Sequence, residues 1–175
     1  MGSLMTRNTI AVLSAAFASC IAAVPAVSAG DDDLPARKAG QWELMTVMDE
    51  GNGPKPQALT MCIDGEMEKN TVAASKLDHQ QNCTKYEVKK AGDKITVEAK
   101  CKFNERDVES TTEMSGDFAT TFQVKIDSTT SGTDGTRSVS VKRSITQTGK
   151  YLGESCGDLK AGEAKGADGK KVLVQ

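Results

Sequence analysis

The chain has 175 residues, 38% of them apolar, 26% charged and 4% aromatic, with a formal net charge of −2. That length fits one domain, and the evenly mixed charge excludes a nucleic-acid surface, which needs concentrated Lys and Arg. With so few aromatics the core has to come from Val, Ile, Leu, Met and a few Phe, and a thin core invites covalent staples.

Residues 1–29 read as a cleavable export signal. Arg7 precedes an apolar run from Ile10 to Val24, and Pro25-Ala26-Val27-Ser28-Ala29 offers small residues for cleavage after Ala29. Ser14, Ser19 and Pro25 break the run, which is shorter than the ~20 apolar residues of a spanning helix. The mature chain is therefore expected to be periplasmic and to have no transmembrane segment. Phe17-Ala18-Ser19-Cys20 loosely matches a lipidation site with a poor first residue, so a lipid anchor on Cys20 ranks second.

Residues 30–38, with Asp31-Asp32-Asp33 at their head, read as a flexible segment; three adjacent carboxylates are a solvated tail rather than the alternating ligands of a calcium loop. The domain proper spans 39–156. Trp42, Leu44, Thr46 and Met48 alternate with Gln41, Glu43 and Met45 as a first strand, and Glu50 to Pro54 turns the chain. Leu59, Met61 and Ile63 mark a second strand. From Asp64 to His79 the period changes to that of a short helix, with Asp64 as cap and Glu66 and Glu68 in the first turn. Two alternating runs around Ala91-Gly92-Asp93 form a hairpin. Val108 to Met114 is a further strand, Ser115-Gly116-Asp117 a turn, and Phe118, Thr120, Phe122, Val124 and Ile126 the next strand. Ser128 to Gly135 reads as a loop before a long strand opened by Val139, Val141 and Ile145.

About seven strands at hairpin spacing give a mainly β fold with minor α. The expected form is an antiparallel meander, a curled sheet or partly open barrel, with one short helix and one face toward water. Residues 157–175 read as a loose tail in which Val172-Leu173-Val174 is a candidate edge strand.

Beyond the leader, four cysteines remain: Cys62, Cys83, Cys101 and Cys156. In an oxidising compartment an even count implies two disulfides, with three possible connectivities. Zinc is disfavoured, since no close cysteine pair exists and His79 is the one histidine. Across the hairpin, Tyr86 and Val88 hold even positions and Ile95, Val97 and Ala99 odd ones. Facing residues must then sum to an odd number, while Cys83 and Cys101 sum to an even one and would point to opposite faces. An unbulged ladder therefore favours Cys62 with Cys83 and Cys101 with Cys156.

Several short motifs recur in order along the chain: Gly40-Gln41-Trp42-Glu43, Thr60-Met61-Cys62-Ile63, Asn82-Cys83-Thr84, Lys90-Ala91-Gly92-Asp93, Ser115-Gly116-Asp117-Phe118, and Gly149 through Cys156. With the four cysteines they resemble the DUF3617 (domain of unknown function 3617) family of secreted bacterial proteins over the whole mature chain. The resemblance implies a periplasmic β-rich domain without an assigned activity. After Cys156 the sequence departs from the family's frequent Pro-Gly-Asp type segment, with Leu159-Lys160-Ala161-Gly162-Glu163 instead.

No motif for catalysis is legible. His79 lacks a nucleophile elbow or a second histidine, and no C-x-x-C or phosphate loop is present. Glu109 and Glu113 lie on outward positions, whereas a glycosidase needs two convergent acids. No cofactor is implied, and the chain is expected not to be an enzyme. Trp42, Met48, Met61, Phe118, Phe122 and Ile126 fall on one apolar face and would line any gap left by curling, with methionine as an adaptable filler. The favoured function is thus a non-catalytic envelope protein that binds an apolar small molecule or a protein partner on that face. Two alternatives are a hydrolase-like enzyme with an unrecognised carboxylate site and a purely structural envelope protein.

Overall fold

The computed structural model describes residues 34–174. The export signal, the Cys20 alternative and the Asp31–Asp33 run lie outside the described residues. Nine strands and one helix follow in the order β1 (Gly40–Asp49), β2 (Lys55–Ile63), α1 (Gly65–Asn82), β3 (Cys83–Ala91), β4 (Lys94–Phe103), β5 (Arg106–Gly116), β6 (Thr121–Asp134), β7 (Arg137–Gly153), β8 (Glu163–Gly166) and β9 (Lys171–Leu173). They form a single open antiparallel sheet in the order β3-β4-β5-β6-β7-β1-β2-β8-β9.

The strands exceed the expected seven because 163–173 adds two. Composition there reads as a loose tail, yet β8 pairs with β2 and buries Ala164 completely against Met61. The stretch 128–134, read as a loop from its Ser, Thr and Gly content, is the second half of β6 and pairs with β7 up to Asp134 and Arg137. Hydroxyl side chains there are tolerated because ladder hydrogen bonds hold the strand whatever its side chains. Strand β6 begins at Thr121 rather than Phe118. Phe118 sits in the preceding turn at φ 54°, where the Asp117 carboxylate accepts the N–H groups of Ala119, Thr120 and Thr121 at 2.9, 2.7 and 3.0 Å.

The pairing of the cysteines differs from the parity expectation: the disulfides are Cys62–Cys156 and Cys83–Cys101. From Lys85–Lys100 to Ala91–Lys94 the facing residues do sum to an odd number, placing Tyr86 opposite Ala99 and Val88 opposite Val97. Between Cys83 and Lys85 the register slips by one, so Thr84 is an extra residue and Cys83 faces Cys101. A one-residue bulge reverses side-chain parity, which is what brings the two sulfurs to one face. The other bridge straddles β1. Gln41 pairs with Cys62 on one side and Gly153 on the other, and Cys156, three residues past β7, reaches across to a Cα–Cα distance of 5.4 Å. The Gln41 side-chain amide donates to the Cys156 carbonyl at 3.2 Å beneath it.

Apolar residues at period two fill one sheet face. Trp42, Leu44, Met61, Ile63, Phe118, Phe122, Met67 and Ala164 form the core, with Leu59, Met114, Val124 and Tyr151 against it. Gly149 stands directly opposite Phe122, and a Cβ built on it would overlap the Phe122 ring. Gly149→Ala is therefore expected to cost about 1–3 kcal/mol, since a packed ring has to move; thermal melts of the variant beside wild type measure it.

Helix α1 connects β2 to β3, which lie six strands apart in the sheet order. Eighteen residues at ~1.5 Å each give about 27 Å, close to six strand spacings of ~4.8 Å. The helix thus crosses the apolar face from Met67 in the core to His79 over β3. Its first turn is capped by the Asp64 carboxylate, which accepts the Met67 N–H at 2.7 Å, and Met67 enters the core. At its far end the His79 ring lies on Tyr86 of β3, with centroids 4.1 Å apart.

Candidate functional site

The six residues expected to line an apolar gap do not share one environment. Trp42, Met61, Phe118 and Phe122 pack against one another in the core, with Phe118 and Phe122 stacked at 5.2 Å. Met48 and Ile126 lie on the same face farther along the strands, on one rung: Met48 faces Ile145 of β7, which faces Ile126 of β6. Met48 is 37% exposed and Ile126 half-buried.

Beyond this rung the same face carries Ser110, Ser128 and Arg143, and one rung farther apolar side chains return. Val141 of β7 is 44% exposed and Phe103 at the end of β4 37% exposed, with half-buried Val108 and Val139 beside them. The register puts all of them on the core side of the sheet: Val141 faces Thr130, which faces Val108, which faces Cys101. Phe103 is carried by a two-residue turn, Asn104-Glu105, both residues at positive φ, as a type I′ hairpin requires. Val141 was read as a strand residue, whereas Phe103 carried no strand reading. What hid them as site candidates is that helix cover cannot be read from periodicity.

Toward the core end, Arg37 locks the entry of the chain onto α1. Its backbone N–H and guanidinium reach the Glu68 carboxylate at 2.9, 3.0 and 2.8 Å. Burial pushes the Glu68 carboxyl upward, and the hydrogen bonds and charge of Arg37 outweigh it, so the net pKa falls below the usual carboxylate value. The Lys38 N–H donates to the Phe118 carbonyl at 2.9 Å, tying the same segment to the β5–β6 turn.

Asp117 is also held well below its ordinary value, first by the Thr120 hydroxyl and then by the three turn amides. Depressed folded-state pKa values mean that the unfolded chain binds more protons in acid. This contribution to stability is therefore complete above the ordinary carboxylate range and drains away as pH falls below ~4. Melting temperature is expected to hold steady down to about pH 5 and drop below it. In Arg37→Ala burial acts on Glu68 unopposed and pushes its carboxyl up, so its contribution reverses: the variant is expected to lose most stability near neutral pH and to show a shallower fall in melting temperature on acidification than wild type.

The opposite face is a ladder of charges. Lys85 pairs with Glu98 at 2.7 Å, Lys94 with Glu113 at 2.6 Å and Lys100 with Glu109 at 2.9 Å. A cleft of about 750 Å³ lies on this polar side, lined by Lys85, Glu98, Glu109, Asp127 and Lys142 among others. Glu109 and Glu113, the carboxylates considered for acid–base work, are thus each engaged by a lysine. His79 is taken up by Tyr86 and by the Ser75 hydroxyl, 3.4 Å from Nδ1. Among the described residues no three His, Cys, Asp or Glu side chains are grouped to hold a metal ion, and no helix is long and apolar enough to cross a membrane.

A family model described as a protein of unknown function, DUF3617, matches residues 37–156. The chain belongs to the DUF3617 family. The match opens at Arg37, the residue that clamps Glu68, and closes at Cys156, the far end of the longer disulfide. In this DUF3617 chain β8 and β9 lie beyond the matched segment. No curated protein matches the chain, and no solved structure does. Two disulfides fit an oxidising, extracytoplasmic compartment.

Proposed function

We propose that the protein is a non-catalytic periplasmic binding module that holds an apolar small molecule or a protein partner on the uncovered end of its apolar sheet face. One observation carries this reading: Met48, Val141 and Phe103 are 37–44% exposed on the same face that elsewhere forms the core. Apolar side chains left exposed on a face that elsewhere is packed offer contact area to a partner, here set among Arg143, Ser128 and Ser110 of the same face. The export signal at 1–29 supports the periplasmic assignment. The pairing of the acids on the polar face, most of them with lysine, supports a non-catalytic role, because a catalytic carboxylate needs a cleft in which it is free to exchange a proton.

Native mass spectrometry of the chain isolated from an envelope fraction tests the reading. A bound small molecule or a stoichiometric second chain is expected on wild type and is expected to be lost from Met48→Glu/Val141→Glu, provided that double variant melts like wild type. The same adduct on both chains, or bare protein in both, overturns it.

A further inference from the structure

The two edges of the sheet are built differently. Strand β3 carries Lys85, Glu87, Lys89 and Lys90, with Lys85 and Lys89 both paired to Glu87 and Glu98, and it begins with the Thr84 bulge. Charges and bulges are the means by which an edge strand is kept from pairing with another chain. At the opposite edge, β9 has none of this in its centre. Val172, Leu173 and Val174 are all exposed, Leu173 to 71%.

The backbone of β9 shows which groups are free. Val174 donates to the Gly162 carbonyl at 2.9 Å, and Gly166 donates to the Lys170 carbonyl at 3.3 Å. Even-numbered residues of β9 therefore face β8. By strand alternation the N–H and C=O of Lys171 and Leu173 point outward, away from the sheet.

We propose that β9 pairs antiparallel with β9 of a second copy of this chain, about a two-fold axis at Val172. The pattern is self-complementary. Lys171 exchanges two hydrogen bonds with the second copy's Leu173, and Leu173 does so with its Lys171, giving four backbone hydrogen bonds. The two Val172 side chains meet at the close, non-hydrogen-bonded position on the axis. Antiparallel pairing also sets the Lys170–Lys171 charges of the two copies at opposite ends, where a parallel pair would stack them. A two-fold contact of this kind closes on itself and leaves β3, the guarded edge, outermost on both sides.

Sedimentation equilibrium of the exported chain, with both disulfides intact, tests the pairing. The mass is expected to rise toward twice that of one chain as concentration increases. Leu173→Pro removes an outward N–H that the chain does not use internally, and Pro is tolerated on an edge strand. The doubled species is expected to disappear in this variant while the melting temperature stays within a few degrees of wild type. Val172→Cys, at the axis, is expected to form an interchain disulfide on mild oxidation far faster than a Lys142→Cys control on β7. A single-chain mass at every concentration, doubling that persists in Leu173→Pro, or crosslinking no faster than the control overturns the proposal.

Discussion

Replacing Cys62 and Cys156 together by Ala is expected to lower the unfolding free energy by about 4–5 kcal/mol, against about 3 kcal/mol for Cys83 and Cys101 together. The difference follows from loop length: the bridges span 94 and 18 residues, and the chain entropy a crosslink removes from the unfolded state grows with the logarithm of the closed loop. The longer bridge also carries a packing role. Cys62 is buried at the end of β2, and the bridge holds the segment after β7 over Gln41. A typical domain has ~5–15 kcal/mol in all, so the first variant would keep little margin. Urea unfolding under oxidising conditions measures both values. The denaturant slope of the longer-loop variant is expected to rise as well, because its unfolded chain expands further. Equal losses from the two pairs would show that loop closure does not set the stabilisation.

Trp42→Ala is expected to cost about 3–5 kcal/mol. Trp42 is fully buried, its ring centroid 5.4 Å from those of both Phe122 and Tyr151. Its indole N–H donates to the Lys38 carbonyl at 2.8 Å, so one side chain joins three strands and the incoming N-terminal segment. Truncation opens a cavity bounded by the sheet and by Met67 of α1, and neither collapses easily when both are tied by disulfides at their ends. Trp42→Phe keeps an aromatic contact but leaves the Lys38 carbonyl without its donor, so a smaller loss is expected. Trp42 is the chain's one tryptophan; circular dichroism rather than intrinsic fluorescence is the measurement that compares the three proteins. A loss under about 1 kcal/mol for Trp42→Ala would contradict the placement of the core.

Much of the architecture was legible in local pattern. Period-two alternation in β1, β2 and β6, the helix cap at Asp64 and the turn at Gly92 all lie within a few residues of the structure they specify. Two disulfides were equally legible from an expected export signal and an even cysteine count. Of the expected apolar set, the strand residues Trp42, Met48, Met61, Phe122 and Ile126 share one sheet face by parity, whereas Phe118 reaches the core from a turn.

What the sequence by itself determined, then, is a mainly β chain with one helix, two staples, and one apolar and one polar face, because each of these depends on residue spacing along the strand or on counting. Tertiary structure decided the rest. Thr84 inserts one residue into β3 and so brings Cys83 opposite Cys101, and nothing in its identity announces a bulge. Strand β1 lies between β7 and β2, which is what lets Cys156 find Cys62 across 94 residues. Met67 of α1 packs into the core around Trp42, while Met48, Val141 and Phe103 of the same face stay 37–44% exposed. That division depends on where a helix lands on a sheet, a long-range fact that no alternation along a strand records.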